Sequence, residues 1–174
     1  RFGVTVIRFR KLKFDNATEK SLRNINSVPN RHNTKNFQWH KLYLFHEKMK
    51  KWRYVFYFDI NMSIHDNINL ILDVKPANQI FARADGYPRY VWKLESQFDK
   101  SHPKFKKLSK KFDLDRNDYF QTGLMYFDTN IISSEVFDKI LSLINEYPLS
   151  ITNEQGILNI YFLFVDQKYT ELET

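Results

Sequence analysis

Asp59 and Asn61 stand two residues apart where the apolar run Tyr54-Val-Phe-Tyr-Phe58 stops. Side chains two apart on an extended segment point the same way, so both oxygens could face one hard cation, Mg²⁺ or Mn²⁺, bridging a diphosphate. Asp and Asn are equally at home in the turns that follow strands, and spacing alone divides evenly between the two readings. Further polar residues punctuate apolar stretches downstream. Arg83 and Asp85 follow Gln79-Ile-Phe-Ala82, Gln121 and Gly123 interrupt an aromatic-rich run, and Glu154 with Gln155 opens a helical repeat.

The elements that must hold these residues can be read from periodicity. Five consecutive bulky residues at Tyr54–Phe58 predict a strand covered on both faces, as in a parallel sheet, where ligands gather past the carboxyl ends of strands. Val4-Thr-Val-Ile-Arg-Phe9, Gln79–Ala82 and Tyr119–Phe127 predict further strands. Trp39, Leu42, Phe45, His46, Met49 and Trp52 fall on one helical face leading into the Tyr54 strand. Val136, Phe137, Ile140, Leu141 and Ile144 predict a helix over 134–146, with Ser133 or Ser134 as its N-cap and Pro148 past its end. A last helix starts near Thr152 or Asn153 and runs through Ile157, Leu158, Tyr161 and Phe162. Strands separated by helices, with no internal repeat, predict an α/β sandwich with a mostly parallel sheet.

The chain has 174 residues, 43% of them hydrophobic and 17% aromatic, enough to bury the core of a single domain. Its longest apolar stretch, Ile160–Val165, is far short of the about 20 residues a bilayer requires. Without cysteine there is no disulfide framework, thiolate metal site or thiol nucleophile. Asn16-Ala-Thr18 and Asn61-Met-Ser63 match the glycosylation pattern, although a glycan on Asn61 would block the metal-facing pair, and the expected compartment is the cytoplasm. The first residue is Arg1 rather than Met, so the expectation is part of a longer chain.

The formal charge of +7 is unevenly spread. Residues 1–127 hold 25 Lys and Arg against 12 Asp and Glu, whereas 128–174 hold 2 against 8. A positive field of this kind concentrates phosphate-bearing partners without choosing among nucleotide, nucleic acid and anionic lipid. The densest run, Lys104–Phe112, places Phe105, Leu108 and Phe112 at helical spacing, which predicts a helix docked by its apolar stripe with lysines in solvent.

Three segments in order carry a family resemblance. They are the helix leading into Tyr54-Val-Phe-Tyr-Phe-Asp-Ile-Asn61, then Tyr119-Phe-Gln-Thr-Gly-Leu-Met-Tyr-Phe-Asp128, then Asn153-Glu-Gln-Gly-Ile-Leu-Asn159. Together they resemble the GT-A class of nucleotide-sugar glycosyltransferases, especially glycosyltransferase family 8, over roughly residues 36–165. The resemblance implies a GT-A, Rossmann-like α/β/α sandwich over residues 1–174 as one domain, cut short at both ends. It also implies Mn²⁺ or Mg²⁺, a nucleotide-sugar donor, and a glycan or protein acceptor. Asp59 matches the first Asp of the family's Asp-X-Asp, which meets ribose and metal. Asn61 matches the second, the stronger metal ligand, and forfeits its charge.

Gln121 and Gly123 take the family's Asn-X-Gly slot at the sugar hydroxyls, Glu154-Gln155 takes its Asp-Gln slot, and Lys41 lies near its basic residue before the motif strand. Arg83 and Asp85 sit where donor-sugar contacts are usual. The family's first strand would precede Arg1, and its His metal ligand would follow Thr174. Of the five histidines only His65 is close to the motif, and His46 is expected on the core-facing helix stripe.

In this reading Gln155 or Glu154 stabilises the oxocarbenium-like centre of a retaining transfer, or Glu154 or Asp85 takes the acceptor proton of an inverting one. The named residues are expected to gather at one edge of the sheet. Two other classes compete: an inactive GT-A-like binding or structural domain, motivated by Asn61, and a basic nucleic-acid-binding domain. The last is not favoured, because no helix-turn-helix, RRM or zinc pattern accompanies the charge.

Overall fold

The computed structural model describes residues 5–27, 36–86 and 89–172. Helix α1 (Asn16–Ser27) is started by Asp15, whose Oδ1 accepts the Thr18 backbone N–H at 2.7 Å. Thr18, Leu22 and Ile25 fall on one face and are buried. This helix was not anticipated, and it places the Asn16 glycosylation pattern in a helical first turn with Thr18 turned inward.

Residues Asn36–Phe45 form a 3₁₀-helix rather than an α-helix, followed by a second 3₁₀ turn over Glu47–Lys51. A 3₁₀-helix has three residues per turn, so Trp39, Leu42 and Phe45 eclipse one another and all three are buried. The inward stripe ends there. His46 is extended at the break and accepts from the Lys48 N–H, Met49 is half-buried, and Trp52 is exposed beneath the Lys51 ammonium. His46 therefore joins an aromatic cluster with Phe9 and Phe137 instead of the core.

Strands β1 (Tyr54–Phe58), β2 (Ile80–Ala84), β3 (Phe120–Asp128) and β4 (Tyr169–Glu171) form one sheet in the order β1-β3-β2-β4. β3 pairs antiparallel with both β1 and β2, and only β2 and β4 run parallel. The expected mostly parallel sheet is thus corrected to a mixed, mostly antiparallel one. The β1 run is apolar on both faces for another reason: its Val55 face meets the core, while Phe56 and Phe58 face the segment 62–74, which contains α2 (Asn69–Leu72). A strap of largely irregular chain lies along that face across a cavity and leaves Phe58 exposed, where parallel crossovers would have placed helices. The strand expected over Val4–Phe9 does not form in its described part, 5–9.

Helix α3 (Phe105–Lys111) docks through Leu108, as its stripe predicts, and α4 (Val136–Glu146) buries Val136, Ile140, Leu143 and Ile144. The N-cap of α4 is Glu135 rather than Ser133 or Ser134, and Ser133 accepts the Glu135 N–H in the turn that precedes the helix. Helix α5 (Glu154–Ile160) continues as a π-turn over Tyr161–Val165. Phe45 lies between Phe127 and Phe162, with ring centroids 5.2 and 5.0 Å away, joining the 3₁₀-helix, β3 and the π-turn in one core. Each such fully buried ring is worth about 1.5–3 kcal/mol. Among the described residues no helix is long and apolar enough to cross a membrane.

Candidate functional site

Three elements deliver charged side chains to one point. The 3₁₀-helix brings Lys41, the end of β1 brings Asp59, and α5 begins with Glu154. The Lys41 Nζ lies 3.0 Å from Asp59 Oδ1 and 3.1 Å from Glu154 Oε1. Lys41 has little contact with solvent and the Glu154 side chain is 1% exposed, so an ammonium and a carboxylate are held inside the fold. Such burial is tolerated because the charges pair. Thr122, near the start of β3, completes the group: its hydroxyl donates to Glu154 Oε1 at 2.8 Å. Glu154 Oε2 has no hydrogen-bond partner among the described residues. Burial pushes the Glu154 carboxyl above its usual range, and Lys41 opposes that shift.

Asp59 follows β1 directly, with its backbone N–H bonded to the Gly123 carbonyl at 2.8 Å. Tyr57, two residues back and on the same side of the strand, donates its hydroxyl to Asp59 Oδ1 at 2.7 Å. Burial and that bond to Asp59 raise the Tyr57 pKa, so the phenol keeps its proton. Gly123 permits the close approach of β3 to this turn. A Cβ there would lie 2.6 Å from Gln121 Oε1 and 2.8 Å from Met62 Cε. Gln121 turns back on its own strand, its Oε1 accepting the Gly123 N–H at 3.1 Å.

Gln155 joins the second half of the site to the first. Its Oε1 accepts the Thr122 N–H at 3.2 Å, and its Nε2 donates to Asp85 Oδ2 and Gln97 Oε1, both at 2.9 Å. The reverse amide orientation would set NH₂ against an N–H and oxygen against a carboxylate, so these partners fix the rotamer. Gln155 is therefore a positioning residue with every polar atom engaged. The approach of α5 is set by Asn153, whose backbone takes the rare φ of 55° while its side chain donates to Gln38. Farther along α5, the buried Asn159 amide bonds both the N–H and the C=O of Phe120, tying the helix to β3.

Lys41, Asp59 and Asn61 line a cavity of about 1070 Å³, together with Arg10, Lys11 and His40. The segment carrying Arg10 is fastened there by the Tyr43 hydroxyl, which donates to the Arg10 carbonyl at 2.6 Å, and by Phe9 stacked on Tyr43.

Of the residues expected from sequence, the structure brings Lys41, Asp59, Gly123, Gln121, Glu154, Gln155 and Asp85 into one connected group. Asn61 is exposed on the cavity wall. Arg83 is exposed between buried Ala82 and Ala84, so its side chain leaves β2 on the face away from the core. His65 bonds Ser63 and lines a separate apolar cavity of about 410 Å³ against Phe56 and Phe58.

Sequence reasoning missed Tyr57, Thr122 and Gln97. Tyr57 could have been found from the two-residue period that aligns it with Asp59. Thr122 occupies the variable middle of Gln121-Thr-Gly123, and Gln97 comes from a 3₁₀ turn with no motif of its own.

A divalent cation seeks several oxygens, mostly charged. Here Asp59 is the sole carboxylate of the two-residue pair, both its oxygens lie within 3.3 Å of Lys41, and one also holds the Tyr57 proton. Among the described residues no three His, Cys, Asp or Glu side chains form a group able to hold a metal. This donor set does not fit Mn²⁺ or Mg²⁺. Comparison with known proteins found no matching family model, no matching curated protein and no matching solved structure.

Proposed function

We propose that this chain is a GT-A-like domain transferring a sugar from a nucleotide-diphosphate donor to an acceptor hydroxyl. The observation that carries the reading is the meeting of Lys41, Asp59 and Glu154 beside a cavity large enough for such a donor. These three residues, from positions far apart in the chain, hold the slots that the resemblance assigns to donor binding and catalysis. The basic residues on the same cavity suit the diphosphate.

In this reaction the acceptor oxygen bonds the anomeric carbon as the bond from that carbon to the diphosphate breaks, and fixed charges stabilise the departing group. Burial separates the two carboxylates that sequence offered as bases. Glu154 is enclosed behind Lys41, whereas Asp85 is half-buried and oriented by Gln155. Asp85 is assigned the acceptor proton, which makes the transfer inverting. Gln155 holds Asp85 in place, and Gln121 and Gly123 shape the turn beside Asp59.

The test is release of nucleoside diphosphate from a panel of UDP-, GDP- and dTDP-sugars. Asp85→Asn is expected to lower turnover at least about 10²-fold, the usual contribution of a general base, with donor affinity unchanged. Absence of binding to every donor would refute the reading. A second reading, a binding domain without activity, draws on neutral Asn61 and on the fully engaged Gln155 amide. Binding without turnover would favour it.

A further inference from the structure

We infer that the cavity beside Asp59 binds a nucleoside diphosphate without a divalent cation, the positive charge being supplied by the protein through Lys41, Arg10 and Lys11. The inference rests on the transferase reading above and departs from the metal dependence that the resemblance implies. A metal at this place has two tasks: neutralising the motif carboxylate and facing the diphosphate. Lys41 already performs the first. Its ammonium is 3.0 Å from Asp59 Oδ1 and 3.3 Å from Oδ2, and it is anchored from behind by Glu154 at 3.1 Å. The Tyr57 hydroxyl adds a short bond to Asp59 Oδ1, so an arriving cation would have to displace a proton donor and crowd an ammonium. Asn61 contributes a neutral oxygen at most, which is a poor substitute for a carboxylate around a hard divalent ion.

The second task falls to other residues of the lining. Arg10 and Lys11 line the same cavity, and both are exposed on a segment fastened by the Tyr43 bond to the Arg10 carbonyl. With Lys41 engaged between two carboxylates, Asp59 and Glu154, the positive charge left to face the ligand is that of Arg10 and Lys11. A guanidinium and an ammonium can then bond phosphate oxygens directly.

The experiment is calorimetric titration of the full chain with UDP, GDP and inorganic pyrophosphate, first in EDTA and then with excess MnCl₂. At least one nucleotide is expected to bind in EDTA, with Kd changing less than about threefold on adding Mn²⁺. Pyrophosphate binding under the same conditions would locate the recognition on the diphosphate itself, and Arg10→Ala with Lys11→Ala, changes at exposed positions, should weaken it about tenfold or more in EDTA. Nucleotide binding that requires Mn²⁺ would overturn the inference and leave the transferase reading standing. Unchanged affinity in the Arg10→Ala/Lys11→Ala variant would overturn the assignment of the charge. Failure of every nucleotide to bind under both conditions would remove the transferase reading and the inference with it.

Discussion

Replacing Lys41 by Met removes an ammonium held by two carboxylates while nearly preserving side-chain length. Asp59 loses little, because its side chain is 27% exposed and keeps the Tyr57 hydroxyl. Glu154 is the costly partner: it is left inside the protein with only the Thr122 hydroxyl on Oε1 and nothing on Oε2. Breaking a buried pair on one side costs about 3–5 kcal/mol, most of it for the charge left behind. The cost depends on pH with a definite sign. Burial raises the Glu154 pKa above the ordinary 4.5, and Lys41 holds it down, so the variant raises it further.

For a group whose folded pKa is raised, its contribution is fully present below the unfolded value and lost as pH rises through the folded one. Lys41→Met should therefore lose about 3–5 kcal/mol near pH 8 and much less near the ordinary pKa of the carboxyl. Lys41→Met with Glu154→Gln should recover most of the loss, since no deeply buried charge is left unpaired. Urea denaturation at both pH values measures these quantities. A loss under about 1 kcal/mol at the higher pH, the size expected of a surface pair, would refute the buried-charge argument, as would a loss independent of pH.

Gly123→Ala introduces a Cβ whose nearest obstacles are the mobile ends of Gln121 and Met62, so both can yield. The expected loss is about 1–2 kcal/mol by thermal denaturation, the scale of mild overpacking. A loss of several kcal/mol would show that the turn beside Asp59 cannot relax. His102 is held as a neutral ring. Ser21 Oγ donates to the Pro148 carbonyl and so accepts from Nε2, while Nδ1 accepts the Lys104 N–H.

Burial lowers the His102 pKa below the usual 6.5, so its contribution is present above that value and lost as pH falls through the folded pKa. The urea midpoint of the wild type should fall more than that of His102→Gln between about pH 7.5 and pH 5.5. Parallel falls in the two proteins would refute the neutral-ring assignment.

The chain shows some of this architecture plainly and hides the rest for physical reasons. Helix α4 is legible because Val136, Ile140 and Ile144 recur at the α-helical period and Pro148 forbids continuation. Trp39, Leu42 and Phe45 recur every three residues, which suits either helix type until His46 is found outside the core. Helix α1 escapes because its buried face contains Thr18, and its cap, Asp15, reads equally well as a turn residue.

Strand direction is hidden in Tyr54–Phe58, since a run apolar on both faces does not record which way its neighbours run. The ordered motifs located Lys41, Asp59 and Glu154. Their mutual distances depend on Thr122 and Gln155, whose roles follow from tertiary contacts and leave no period in the sequence. Arg83 differs for the opposite reason: it stands only two residues before Asp85 in sequence and yet departs from the far face of β2.

The strand order has a consequence during synthesis. β3 is the central strand for both β1 and β2, which do not pair with each other, and it begins about 60 residues after β1 ends. At about 5–20 residues per second, a nascent Tyr-Val-Phe-Tyr-Phe segment waits roughly 3–12 s outside the ribosome with its backbone unpaired. Such an uncharged, aromatic, proline-free segment is prone to stack with its own kind on neighbouring chains. The flanks oppose this: Lys50, Lys51 and Arg53 precede it and Asp59 follows, charges that penalise any stack placing copies side by side. Asp59 thus guards the unfolded chain in the seconds before β3 gives it the partners that it keeps in the folded protein.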